Sequence, residues 1–162
     1  MTKEDILKII EKENVNFFRM QFCDINGFMK NVAVPKSQIE KALDGKIMFD
    51  GSSIDGFARI HESDMYLVPD YNTFCVLPWR NKAGVAAARI ICDVYNSNGA
   101  PFTGCPRVNL KRVLAEAKEM GFTMNVGTEA EFFLFKLDAD GNSTTKTDDN
   151  AGYFSLDPED TG

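Results

Sequence analysis

Apolar residues repeat with one period in some stretches of the chain and with another elsewhere, and the changes mark the elements. Ile6, Leu7, Ile9 and Ile10 recur at helical spacing behind Thr2, which predicts a short capped helix ended by the polar residues 11–14. From Val15 the period drops to two. Phe18, Met20 and Phe22 alternate with Arg19 and Gln21, then come Asn26-Gly27 and a second run, 30–34, before Pro35, so a hairpin is predicted. Ser37 and Glu40 form a capping-box pair for a short helix through Leu43, stopped by Asp44-Gly45.

After Ile47, Met48 and Phe49 the stretch DGSSIDGFARIHESD is too rich in Gly, Ser and Asp for a helix or strand of useful length, and it reads as a flexible acidic loop. Strands are predicted over 73–78 and 85–95. The breakers Gly99, Pro101, Gly104 and Pro106 then set a domain boundary, giving 1–103 and 104–162. Pro106 suits a first helical turn. Leu110, Val113, Leu114, Ala117 and Met120 form an apolar stripe until Gly121 closes that helix. A long strand is predicted over 122–137, followed by a turn at Asp138–Asn142 and a polar remainder. That strand is rich in Phe, and left unpaired it is an aggregation hazard.

Composition narrows the class. Hydrophobic residues make up 44% of the 162 positions and charged residues 26%, the balance of a folded globular chain. The formal net charge of −6, with no basic cluster, argues against a phosphate-backbone partner. The N-terminal stretch carries charges through its apolar positions, unlike a secretory leader. No apolar run is long enough to span a bilayer. Cys23, Cys75, Cys92 and Cys105 show no CxxC pairing and read as thiols of a reducing, cytoplasmic compartment.

Candidate chemistry lies in two places. In GTEAEFFLFKL, Glu129 and Glu131 are two residues apart, so an extended backbone puts both carboxylates on one face about 6 to 7 Å apart. Two hard divalent ions side by side suit that spacing, but Glu-x-Glu is common on strands, and by spacing alone a solvated strand end with two exposed acids is the plainer reading. In the DGSS loop, Asp50 reads as an Asx-turn residue or as a carboxylate that binds a cation or takes a proton. The loop's GxxxxG is not a phosphate loop, because Phe57-Ala58 replaces the required Lys and Ser/Thr. Arg59, His61, Glu62 and Asp64 read as a solvated charged segment, and the lone His61 has no second ligand at metal spacing.

Taken together, MFDGSSIDGFARIHESDMYL, NTFCVLPW and GTEAEFFLFKLD closely resemble the N-terminal part of bacterial type I glutamine synthetase. FRMQFCDINGFMKNVAVP and PFTGCPRVNLKRVL extend the resemblance over the whole chain. The resemblance implies an α+β fold: an N-terminal β-grasp domain, then the first helix and long strand of an antiparallel-sheet catalytic domain. It implies an ATP-dependent ligase that joins glutamate and ammonia through γ-glutamyl phosphate, with Mg²⁺ or Mn²⁺, in double-ring dodecamers whose active sites lie between neighbouring subunits. By resemblance, Asp50 helps bind ammonium and remove its proton at the adjacent subunit's site, Glu129 and Glu131 are metal ligands, and Arg59 falls in a segment tied to feedback inhibition.

Two departures stand out. Thr128 and Ala130 occupy positions where the family usually has prolines, and Phe57 stands where many members have Trp, a position the resemblance places against the nucleotide. The family chain is more than twice as long. The resemblance therefore implies a portion of the enzyme that is inactive alone, broken inside the catalytic domain. The competing expectations are a stand-alone β-grasp interaction module and a related ligase that uses another amine.

Overall fold

The computed structural model describes residues 1–57, 63–80 and 86–148, together with 152 and 154. The chain divides into two compact units, 1–124 and 125–162.

In the first unit, helix α1 (Lys3–Lys12) opens with the predicted Thr2 cap, and Asp5 completes a reciprocal capping box: the Asp5 N–H donates to Thr2 Oγ1 at 3.2 Å and the Thr2 N–H donates to Asp5 Oδ2 at 3.0 Å. Ile6 and Ile10 bury its inner face. Strands β1 (Val15–Cys23) and β2 (Met29–Pro35) form the expected antiparallel hairpin, and Phe18, Met20 and Phe22 all point into the core. A 3-10 turn at Lys36–Gln38 replaces the predicted Ser37 capping box. The short helix α2 (Ile39–Leu43) grows out of that turn, so Ser37 lies inside it and Gln38 precedes the helix without a side-chain capping bond.

Strand β3 (Ile47–Asp50) pairs with a long β4 (Asp64–Val76), which pairs with β5 (Ala86–Asn96). The sheet order is β2-β1-β5-β4-β3, with β1 and β5 parallel and the other pairs antiparallel. Strand β4 starts well before the predicted residue 73, and Pro78 falls in a 3-10 turn. An irregularity divides β4 between Asp70 and Cys75. There the Thr73 hydroxyl oxygen accepts from the Ile91 N–H at 2.8 Å, and a side chain stands in for a ladder partner. Sequence periodicity registered only the half beyond this break.

The turn between β1 and β2 is wider than Asn26-Gly27 alone. Asp24, only 2% exposed, accepts at Oδ1 from the N–H groups of Asn26 and Phe28, each at 2.9 Å, while Lys30 Nζ stands 3.2 Å from Oδ2. Gly27 takes the positive φ of 85° that the turn requires. Burial pushes the Asp24 carboxyl up, but the bonds from Phe28, Lys30 and Asn26 outweigh it and hold the group below its ordinary range. A carboxyl lowered in the folded state stabilises fully above its unfolded value of about 3.9, and that contribution is lost as pH falls through the lowered value. Asp24→Ala is therefore expected to lower the urea midpoint at neutral pH more than Asp24→Asn, which keeps one acceptor. The difference from wild type should shrink as pH falls toward the acid limb. A midpoint that does not change in Asp24→Ala would contradict this.

Helix α3 (Pro106–Glu119) starts with Pro at its first turn as expected, but its predicted stripe does not face the sheet. Leu110, Val113, Leu114 and Met120 are exposed. The side turned to the sheet carries charges beside Val108, which packs against the core. Arg107 Nη1 meets Asp93 Oδ1 on β5 at 2.6 Å and its Nη2 meets Asp70 Oδ2 on β4 at 2.6 Å, while Lys111 Nζ reaches Asp93 Oδ2 at 2.5 Å. Asp93 alternates with the buried Cys92 and Val94, which puts its carboxylate on the sheet face away from the apolar core. Helical periodicity identified an apolar face, whereas the charged partners on the sheet, Asp93 through both oxygens and Asp70 through Oδ2, meet a different one.

The four cysteines are free thiols. Burial pushes the Cys92 thiol up to about 12, so it stays protonated and inert. Among the described residues no helix is long and apolar enough to cross a membrane.

In the second unit the N–H of Lys136 donates to the carbonyl of Lys146 at 2.7 Å, Leu137 bridges Ser143, and Asp138 accepts from the Asn142 N–H at 2.8 Å to make the predicted turn. Residues 122–136 lack the ladder of the predicted long strand. Alternation sets which side chains share a face, but a strand is completed by hydrogen bonds to a neighbour, and the described residues supply none to the backbone of 123–135.

Candidate functional site

Asp50 is the last residue of β3, and its backbone is still extended, with φ −81° and ψ 101°. Its side chain turns back to cap the 3-10 turn Gly51–Ser53. Oδ1 accepts from the Ser52 hydroxyl at 2.6 Å and the Ser52 N–H at 2.9 Å, and Oδ2 accepts from the Ser53 hydroxyl at 3.2 Å. These bonds, led by the Ser52 hydroxyl, hold the Asp50 carboxyl below its ordinary range against the upward push of desolvation. An exposed carboxylate that stays ionised and keeps lone pairs toward solvent attracts cations; as a proton acceptor it is weak near neutrality.

The part of the loop that is described, residues 51–57, is hydrogen-bonded and packed. The Gly51 N–H donates to the Ser63 carbonyl at 2.7 Å, and a Cβ at Gly51 would lie 2.5 Å from Met65 Sδ. Ile54 and Phe57 pack against the core. Gly56 has φ +75°, and its backbone comes so close to Ile25 of the β1–β2 turn that an added Cβ would lie 2.2 Å from Ile25 Cδ1. Asp64 stands directly across the β3–β4 ladder from Asp50, so two acids share this end of the sheet. Sequence reasoning set Asp64 among solvated charges. The signal missed was the register of β3 against β4. Arg59 and His61 lie outside the described residues.

Glu129 and Glu131 are exposed members of the second unit. Phe133 and Phe135, in phase with them, stack with ring centroids 6.1 Å apart and planes 12° from parallel, the arrangement that period two produces in an extended backbone. The two carboxylates offer hard oxygen donors of the kind Mg²⁺ or Mn²⁺ takes. Among the described residues, however, no group of three or more His, Cys, Asp or Glu gathers, so these residues do not make a metal site by themselves.

The sequence profile of the glutamine synthetase beta-Grasp domain matches residues 14–97, and that of the glutamine synthetase catalytic domain matches residues 103–162. The chain belongs to the glutamine synthetase family. Glutamine synthetase of Clostridium saccharobutylicum is 57% identical over 161 residues, and that of Staphylococcus aureus (strain Mu50) is 58% identical over 162 residues. Each alignment covers 99% of this chain, and the chain spans only about 36% of the length of these relatives. Among solved structures, the GmaS/ADP complex matches with a TM-score of 0.64 at 28% identity, covering 72% of this chain and 26% of that one. The glutamine synthetase of Plasmodium falciparum, at 22% identity, shares the fold with a TM-score of 0.66 over 75% of this chain and 23% of its own. The mixed sheet flanked by helices is thus the β-grasp domain of this family, and the α+β reading holds.

Proposed function

We propose that this chain is the N-terminal portion of an ATP-dependent glutamate–ammonia ligase that makes glutamine through γ-glutamyl phosphate. The observation that carries the reading is the 57–58% identity to glutamine synthetases along 99% of the chain. ATP and a divalent ion, Mg²⁺ or Mn²⁺, are the cofactors of the complete enzyme in this reading, and the structural likeness to an ADP complex supports the nucleotide. The complete enzyme is a cytoplasmic homo-oligomer, a dodecamer by resemblance. A division at 103/104 is supported by one family profile ending at 97 and the other beginning at 103.

Within that reading Asp50 draws ammonium to the site of an adjacent subunit. Its lowered carboxyl and the nearby Asp64 support electrostatic capture of the cation more than removal of its proton. Glu129 and Glu131 contribute two oxygen ligands to a metal site whose other ligands come from beyond the described residues. When bound, the metal supplies charge neutralisation for phosphoryl chemistry. The feedback role of Arg59 is carried to this chain by the resemblance.

The test is to read the source reading frame past the codon for Gly162 and to assay both products. The 162-residue chain is expected to show negligible ATP-dependent γ-glutamyl transfer and the extended chain robust transfer; turnover by the short chain overturns the proposal. A stop codon directly after Gly162 would instead favour an interaction module, to be sought by co-purification with a complete glutamine synthetase.

A further inference from the structure

One run of aromatic rings brackets residues 50–57, the first part of the Asp50 loop. Phe49, the residue before Asp50, lies 4.8 Å from Phe22 of β1, centroid to centroid. Phe22 in turn lies 6.0 Å from Phe57 of the loop, and Phe57 lies 5.2 Å from Phe102. Three of these rings belong to the sheet or to the loop itself. Phe102 belongs to neither.

It sits in the connection between β5 and α3, between the stretches matched by the two family profiles. That connection is fixed. The Phe102 N–H donates to the Val94 carbonyl at 2.9 Å, the Cys105 N–H donates to the Phe102 carbonyl at 3.0 Å, and Cys105 is fully buried. Gly104 lets the Phe102 ring fold back over its own backbone, since a Cβ there would lie 2.4 Å from Phe102 Cζ.

We infer that Phe102 is a positioning residue for Asp50: through Phe57 it sets the height and angle of the 50–57 loop and so the place the carboxylate occupies. Phe57 stands where the resemblance puts an aromatic against the nucleotide. In this structure its ring is taken up on two sides by Phe22 and Phe102, and the loop's own hydrogen bonds, Ile54 N–H to the Gly51 carbonyl and Phe57 N–H to the Ile54 carbonyl, both at 3.1 Å, carry its position back toward Asp50. Without Phe102, one side of Phe57 loses its partner and residues 50–57 are free to shift. A carboxylate misplaced by about 1 Å loses much of its hold on a small cation. The same contact links the segment that leads into the catalytic domain to the ammonium-binding carboxylate.

The inference rests on the ammonium role of Asp50, and the experiment separates the two. In the full-length enzyme, with glutamate and ATP saturating, Phe102→Ala and Gly104→Ala are compared with Phe102→Tyr and Asp50→Asn. Gly104→Ala displaces the ring without deleting it, so it still tests the contact if Phe102→Ala fails to assemble. Both disruptive variants are expected to raise the KM for ammonium about tenfold while kcat and the KM for glutamate stay within about twofold, and Phe102→Tyr should restore the wild-type value. If Asp50→Asn raises the ammonium KM and an assembled Gly104→Ala leaves it within about twofold, the positioning inference is overturned and the Asp50 reading stands. If Asp50→Asn leaves it unchanged, the Asp50 reading fails and the positioning inference falls with it.

Discussion

Asp50→Asn in the full-length enzyme is expected to raise the KM for ammonium by about two orders of magnitude, with a smaller loss in kcat. The substitution keeps the shape and the Oδ1 acceptor that caps the 3-10 turn, so the Ser52 bonds at 2.6 and 2.9 Å survive in large part. What it removes is charge. The pH dependence separates capture from proton removal. Because the carboxyl is held below its ordinary range, it remains ionised well into acid, and its contribution is present above about 3.9 and lost only as pH falls through the lowered value. A base that must accept a proton from ammonium near neutrality would instead leave its mark in the neutral range. Steady-state kinetics from pH 5 to 9 should therefore show a wild-type to Asp50→Asn ratio for ammonium KM that is nearly flat. A ratio that collapses near neutrality would assign proton removal to this residue instead.

The second large effect belongs to the clamp under α3. Arg107→Met is expected to cost about 2–3 kcal/mol of stability. The guanidinium makes two short charge-assisted bonds to carboxylates on adjacent strands, and its loss leaves Asp93, whose side chain is 11% exposed, with Lys111 alone. The bond from Arg107 is the main reason the Asp70 carboxyl lies below its ordinary range, with burial opposing. Its stabilisation is complete above the unfolded carboxylate value and fades as pH falls through the lowered one. Urea unfolding of wild type and Arg107→Met should thus differ most at neutral pH and converge in acid. A difference under about 0.5 kcal/mol at pH 7 would reduce the clamp to a solvated surface pair.

How far these features were legible in the chain varies residue by residue. The hairpin was legible because Phe18, Met20 and Phe22 alternate strictly and Asn26-Gly27 follows them. The first helix was legible because Thr2 stands in front of a helical apolar stripe. Asp50 stood out because an acid in a Gly- and Ser-rich stretch has few structural uses beyond a turn, and it caps one here. Asp24 did not stand out. Nothing local distinguishes an acid about to be buried by its own turn from one left in water, and the difference lies in which N–H groups converge on it after the hairpin closes.

Sequence alone determined the local periods, the caps and turns, the free cysteines and the motifs that carry the family resemblance, since each depends on residues close together in the chain. Tertiary structure decided what depends on distant partners. It set the register that places Asp64 opposite Asp50, and it ran the rings of Phe49, Phe22, Phe57 and Phe102 together from four parts of the chain. It docked α3 by its charges rather than its apolar stripe. It also left residues 122–136 without a ladder, because side-chain alternation needs only the chain itself, while a strand's backbone groups are satisfied only by a neighbouring strand.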